Sequence, residues 1–398
     1  MRRLLFVALQ IGLALLLTEA ALHLLRRHHD GFHRLLYLPG EPIDYERFET
    51  LEELIESSIL GFRPNTPHSG FVLSSRSLRT PEYEVAKRPG TYRVVVLGDS
   101  FAFASGGIPH GWHWPVLLGR RLERRRSQPV EVVNLGIPAT GPGFQRRMWQ
   151  LEGSRLAPDL VLQAFYVGND FRDDVGDNAP VAAAPDAADR LARISLTFRA
   201  ARALYLLRGL EPDALPGAAG RAHETPRERG GYELLEYREE YDPNRAQVAP
   251  EFYAQVVARR MEICLPENRD AFARRLERVA ATITALRSEV AAVGARFVVA
   301  LVPDEYQVDP RVRRAAAERA GRSVEDYDLE APQRLLSRRL VAAGVEVIDL
   351  LPAFRRVGTE RRLYRPRDTH WNPVGARLAA GTLARTLEPR VAEPTTPE

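Results

Sequence analysis

From Arg93 to the C-terminus, short apolar runs alternate with stretches of helical periodicity, and nothing else in the chain limits its fold as tightly. The runs are 93–97, 130–135, 160–166, 296–302 and 345–350, each flanked by turn residues. A helix is predicted over 114–125, with Pro115 in its first turn, and another through Phe144, Met148 and Leu151. The strongest pattern runs over 269–293. There Phe272, Leu276, Val279, Ile283, Leu286, Val290 and Val293 fall alternately four and three apart, and Gly294 ends the helix. Such alternation predicts an α/β fold with a parallel sheet covered on both faces by helices.

One interval breaks the rhythm. Residues 172–266 are rich in Ala, Arg, Glu and Pro, with helical pieces at 190–210 and 250–261 around the polar stretch "GAAGRAHETPRERGG". A long insertion between two strands of a sheet is read as a lid, a cap or a partner surface.

Four strand ends carry chemistry. The run "VVVLGDS" delivers Ser100 to the carboxyl edge of the sheet, where ligand crevices form. "VEVVNLGIPATG" turns at Gly136, "LVLQAFYVGND" turns at Asn169, and "RDTHWNPVG" sets His370 before a helix that Asn372 would cap and Pro373 would open. In a doubly wound sheet these ends converge. His370 would take the proton from Ser100 and return it to the leaving group, because imidazole titrates near neutral pH. Asp368 would orient His370, since residues two apart in an extended segment face the same way. The backbone N–H groups of Ser100 and Gly136 and the Asn169 amide would hold the oxyanion. Asp99 would brace the turn. Taken singly, each has a plainer reading: Gly136 as a turn glycine, Asn169 as a cap, His370 as a satisfied histidine beside Trp371.

The order and context of these motifs resemble the SGNH, or GDSL-type, hydrolases. "GDSF" is similar to that family's first block, the glycine of "NLGIPATG" to its second, "GND" to its third and "DTHW" to its last. The resemblance covers about 92–169 and then 296 to the C-terminal helix. It implies a flavodoxin-like three-layer α/β/α sandwich and acyl-ester chemistry on Ser100. The last block departs from the usual pattern, which has the aspartate three residues before the histidine. Arg367 holds that place here and Asp368 stands two before. The D-x-H-W form is similar to that of SGNH-like domains in alginate and other polysaccharide O-acetyltransferases, where the aspartate keeps the orienting role.

The N-terminus bears on location. Arg2 and Arg3 precede an apolar run from Leu4 to about Leu25, long enough to span a hydrocarbon core, although Gln10, Glu19 and His23 interrupt it. The favoured reading is an uncleaved anchor with the body outside the cytoplasm. A signal cut after the small residues near Ala20 and a buried amphipathic helix are the alternatives.

Other features exclude more than they propose. The net charge of +4 comes almost wholly from arginine, and the cluster Arg120, Arg121, Arg124, Arg125 and Arg126 reads as the wet face of a helix. No aromatic residues interleave with it as a nucleic-acid site would want. The single cysteine, Cys264, allows neither an intrachain disulfide nor a cysteine-based zinc site. His110 and His113 lack partners at metal-ligand spacing, and Asp173, Asp174 and Asp177 resemble a calcium loop only loosely, without its glycine and final glutamate in register. No metal or cofactor is expected. Trp112 and Trp114, soon after Ser100, are candidate substrate-binding residues.

The organisation expected is therefore a membrane anchor or signal at 1–29, a connector packing on the body at 30–90, and a hydrolase domain at 91–390. The insertion would lie at about 172–266 and a disordered tail at 391–398. The function expected is an exported serine esterase acting on small acyl esters, O-acetylated saccharides among them. A polysaccharide O-acyltransferase with the same nucleophile and a non-catalytic envelope-binding protein are the alternatives.

Overall fold

The computed structural model describes residues 2–28, 43–58, 62–68, 71–105, 107–126, 128–173, 195–198, 200–201 and 241–388. Its centre is a parallel five-stranded sheet: β1 (Tyr92–Gly98), β2 (Val130–Asn134), β3 (Leu160–Tyr166), β4 (Arg296–Val302) and β5 (Glu346–Asp349). The strand order is 2-1-3-4-5, the flavodoxin-like arrangement, in which the connection reverses direction between β1 and β3. Register is continuous across the middle, with Val94 opposite both Val132 and Leu160.

β1 and β3 are buried along their whole length, as strands covered on both faces must be. Alternate residues serve different layers. Val94, Val96, Leu160, Leu162, Val298 and Ala300 share one core with Leu118 and Leu122 of the helix Trp114–Arg126 and with Ala379, Leu383 and Leu387 of the helix Pro373–Leu387. On the other side of the sheet the helix Pro142–Leu151 packs against the long helix Arg269–Ala292. The latter buries Phe272, Leu276, Val279, Ile283, Leu286 and Val290, the residues its periodicity selected. Val293 of that pattern is exposed, because the helix has already ended.

The chain divides into two compact units, residues 1–42 with 175–230 and residues 43–174 with 231–398. The first contains the helix Arg2–His28, on which the Glu19 carboxylate accepts hydrogen bonds from the Leu196 and Thr197 N–H groups at 2.6 and 2.9 Å. Among the described residues no helix is long and apolar enough to cross a membrane. The expected span runs through residues 4–9, whose side chains lie outside the described residues, as do the tail at 391–398 and most of the helical piece at 190–210.

The second unit takes in more of the chain than the sequence rhythm indicated. The helix Pro250–Met261, expected within the insertion, buries Tyr253, Val257 and Met261 and packs on the helix Pro310–Arg319. The connector is also built in: Arg93, fully buried at the start of β1, donates to the carbonyls of Glu84, Val85 and Leu156.

Candidate active site

β1 ends at Gly98, whose φ of 156° and close approach to β3 admit no side chain: a Cβ there would lie 2.8 Å from Ala102 Cβ and 3.0 Å from the Ala164 carbonyl. Asp99 then caps a one-turn helix, Ser100–Phe103, by accepting the Phe101 N–H at 2.9 Å. Asp99 is fully buried, and that burial pushes its carboxyl up to about 6. Its other oxygen accepts the Ser100 hydroxyl at 3.3 Å. Ser100 thus stands at the first position of a helix, where backbone N–H groups have no intrahelical acceptor.

His370 lies in a closed excursion between Leu363 and Asn372. Tyr364 bridges Trp371, the Asn372 N–H donates to the Leu363 carbonyl at 3.0 Å, and the Arg365 N–H donates to the His370 carbonyl at 2.9 Å. Inside it, Asp368 Oδ1 is 2.8 Å from His370 Nδ1, and Asp368 Oδ2 accepts from Arg365 at 2.6 Å. The extended geometry expected between Asp368 and His370 is not what joins them. The His370 N–H donates to the Asp368 carbonyl at 2.7 Å across Thr369, whose φ is 62°, so the segment is a tight γ-turn. Asn372 does cap the next helix, accepting the Val374 and Gly375 N–H groups at 2.8 and 3.0 Å, and Pro373 opens it.

The Phe101 ring joins the two loops. Its centroid is 5.3 Å from that of His370, 4.9 Å from Trp371 and 4.4 Å from Tyr166. The residue beside Ser100 therefore packs on the imidazole, at the point between β1 and β3 where the strand order reverses. No hydrogen bond joins Ser100 to His370: the hydroxyl is turned to Asp99, and the imidazole to Asp368. Catalytic hydrogen bonds are often unmade in a structure without substrate.

The expected oxyanion donors fare differently. Asn169 Nδ2 donates to Asp173 Oδ2 at 2.7 Å, which uses one of its two hydrogens. The Gly136 N–H already donates to Asn134 Oδ1 at 3.1 Å, so the oxyanion role expected of it is not supported. What Gly136 does is let the chain pass close to the helix Ser100–Phe103, because a Cβ there would meet Ala102 Cβ at 2.5 Å.

The two tryptophans also separate. Trp112 is half exposed, whereas Trp114 is buried and its indole N–H donates to the Phe101 carbonyl at 2.8 Å. Trp114 therefore braces the helix behind Ser100 and leaves the substrate-binding set. His113 is buried as well, which pushes its imidazole well below the usual range. Among the described residues no group of three or more His, Cys, Asp or Glu is placed to hold a metal ion.

Sequence reasoning missed a buried polar cluster behind the site. The Tyr166 hydroxyl donates to Asp304 Oδ2, and Arg260 reaches that hydroxyl at 3.1 Å. Next to it the Tyr253 hydroxyl donates to Glu305, whose carboxyl burial pushes up to about 8. Arg365 was equally invisible, one arginine among many.

Comparison with known proteins bears on the last of these motifs. Residues 263–397 match the family described as an SGNH hydrolase-like domain, acetyltransferase AlgX. That stretch, about a third of the chain, is similar to the SGNH hydrolase-like domain. The matched part holds Asp368, His370 and Trp371 and leaves out Ser100. A protein named "Probable alginate O-acetylase AlgJ" from Azotobacter vinelandii is 42% identical over 53 residues, and that match spans 13% of this chain and 14% of the relative. Among solved structures, an acetyl xylan esterase is 10% identical, with a TM-score of 0.39 over 74% of this chain and 100% of its own. An acetylxylan esterase from Geobacillus stearothermophilus is 13% identical, with a TM-score of 0.35 over 74% of this chain and 93% of its own.

Proposed function

We propose that the protein is an exported serine esterase that removes small acyl groups, O-acetyl above all, from saccharide hydroxyls. The observation that carries this reading is the Asp368–His370 pair at 2.8 Å, packed through Phe101 on the turn that presents Ser100. A relative named as a probable alginate O-acetylase and a match to an acetyltransferase family support the acyl group chosen.

In this mechanism Ser100 Oγ turns from Asp99 toward His370 and attacks the ester carbonyl carbon while Nε2 of His370 takes its proton. Asp368 holds the Nδ1–H tautomer and stabilises the imidazolium. The oxyanion is held by the Ser100 N–H and the second hydrogen of the Asn169 amide; one such donor is worth about 3 kcal/mol of barrier. Collapse expels the sugar alkoxide, which His370 protonates, and leaves an acyl-enzyme. Water, deprotonated by His370, then attacks the acyl carbon, releasing the acid and restoring Ser100. Transfer to a second sugar hydroxyl replaces water in the last step and is the second reading, favoured by the acetyltransferase family match. The half-exposed Trp112 would offer either saccharide an aromatic face.

Placement outside the cytoplasm belongs to the same proposal. It rests on the apolar run that begins at Leu4 and on the exposure of Leu13, Leu15, Leu16 and Leu17 along the helix Arg2–His28.

The test is incubation of the protein with a fluorophosphonate probe and with p-nitrophenyl acetate, wild type against Ser100→Ala. Labelling and chromophore release that both vanish in the variant support the proposal. A folded wild type that takes no label sinks the catalytic reading and favours the envelope-binding alternative. Burst release followed by sugar-dependent turnover favours transfer.

A further inference from the structure

We propose that Arg365 is a positioning residue for the Asp368–His370 pair, and that the segment 241–247 holds Arg365 in place. The proposal rests on the ester chemistry above, to which it adds the device that sets the general base.

The altered spacing of the last block creates the need. Asp368 stands between Arg367 and Thr369, with φ of 52° and 62°, a left-handed conformation that L residues adopt reluctantly and that persists only where the surroundings over-determine it. Left to itself, such a turn would let the carboxylate drift from Nδ1. Arg365 prevents this from the opposite side. Its Nη1 donates to Asp368 Oδ2 at 2.6 Å while Oδ1 faces His370 Nδ1 at 2.8 Å, so both carboxylate oxygens are engaged and the group has no rotation left. Both side chains are nearly buried, 7% and 11% exposed, which limits screening of the pair by water. The backbone closes the same loop, since the Arg365 N–H donates to the His370 carbonyl.

Arg365 is held in turn by the segment that begins at Tyr241. Its guanidinium lies 5.3 Å from the Tyr241 ring centroid, and its Nη2 donates to the Asp242 carbonyl at 3.4 Å. Five residues on, the Gln247 N–H donates to the Pro366 carbonyl at 3.2 Å. Tyr241 also meets the loop after Ser100, where a Cβ on Gly107 would lie 3.7 Å from its ring. One aromatic residue thus touches both the nucleophile's loop and the base's loop. The order of action is Tyr241 and Asp242 on Arg365, Arg365 on Asp368, and Asp368 on His370.

The test uses the full chain carrying Arg365→Ala, Arg365→Lys and Tyr241→Leu. In Arg365→Ala, kcat on p-nitrophenyl acetate is expected to fall by up to about 100-fold, the effect of a small misplacement, with KM little changed. Millimolar guanidinium, too dilute to denature, is expected to restore much of it. Arg365→Lys keeps a charge but not the fork that reaches both Asp368 and Asp242, and is expected to recover only part. Tyr241→Leu is expected to lower kcat in the same way without guanidinium rescue, because its arginine is still present.

Proton NMR reads the pair without turnover, through the far-downfield Nδ1–H of His370 bound to Asp368. Its loss in Arg365→Ala and return with guanidinium support the proposal even if the wild type proves inert, an outcome that would remove the ester reading alone. An active wild type with an unchanged Arg365→Ala overturns the proposal. So does a folded Arg365→Ala that keeps the His370 signal, or one that guanidinium restores in neither assay.

Discussion

The Gly136 N–H donates to Asn134 Oδ1 at 3.1 Å, and the amide of the same asparagine donates to the Ala102 carbonyl at 2.7 Å. Asn134 therefore ties the end of β2 to the one-turn helix that begins with Ser100, and Gly136 supplies the clearance that makes the tie possible. Gly136→Ala is expected to push that helix aside. Urea unfolding should show a loss of about 1–3 kcal/mol, the usual cost of overpacking, and fluorophosphonate labelling of Ser100 should slow in the protein that remains folded.

The positive φ of Thr369 gives a second test. Proline fixes φ near −65° and cannot make this turn, so Thr369→Pro should abolish turnover of p-nitrophenyl acetate. Glycine takes the left-handed conformation freely, and Thr369→Gly should turn over close to wild type. Equal losses in the two variants would show that the side chain, and not the turn, is what matters.

Asp368→Asn keeps the shape of the pair but presents an amide where a carboxylate accepted the imidazole N–H, which favours the wrong tautomer. In a serine triad that change costs about 10⁴ in kcat. A similar loss is expected here, because the carboxylate is held at 2.8 Å in spite of the shortened spacing.

Stability should depend on pH through Glu305. Burial raises its folded-state carboxyl from the ordinary 4.5 to about 8, so between those values the folded protein keeps a proton that the unfolded chain releases. Stability then falls as pH rises across that window and changes no further above it. Glu305→Gln retains an oxygen for the Tyr253 hydroxyl and removes the ionisation. Its urea midpoint should decline less than that of wild type from pH 5 to 8. Asp99, raised to about 6, lowers stability in the same direction over the lower part of the window. The difference between the two proteins isolates Glu305.

The tryptophans should part in their kinetics. Trp112→Ala is expected to raise KM for an acetylated oligosaccharide and to leave p-nitrophenyl acetate unaffected. Trp114→Phe loses the bond to the Phe101 carbonyl and should lower stability by about 1 kcal/mol, with both substrates affected alike.

Much of this was legible in the chain because strands buried on both faces leave a plain signature. The residues of β3 and β4 could be read off to their ends, and so could the cap at Asn372 and the proline at 373. What escaped depended on contacts that no local pattern encodes. Nothing in "ETPRERGGYELLEY" says that Tyr241, just beyond it, will lie against an arginine more than a hundred residues away. Nor does "NLGIP" say that its asparagine will take the glycine's N–H for itself. Residues 250–261 read correctly as a helix, and their packing on the helix Pro310–Arg319 could not be read, because periodicity reports a helix's buried face and not what that face is buried against.

The first unit takes over the chain at Val175, six residues after Asn169, which gives one amide hydrogen to Asp173, and the next described residue of the second unit is Tyr241, beside Arg365. Departure and return both fall at the carboxyl edge of a sheet whose register owes nothing to the residues between. Such a scaffold behaves like a socket. What runs between the two junctions is free to lengthen, shorten or be exchanged over evolutionary time while the strands stay as they are, and each exchange begins near Asn169 and ends near Arg365.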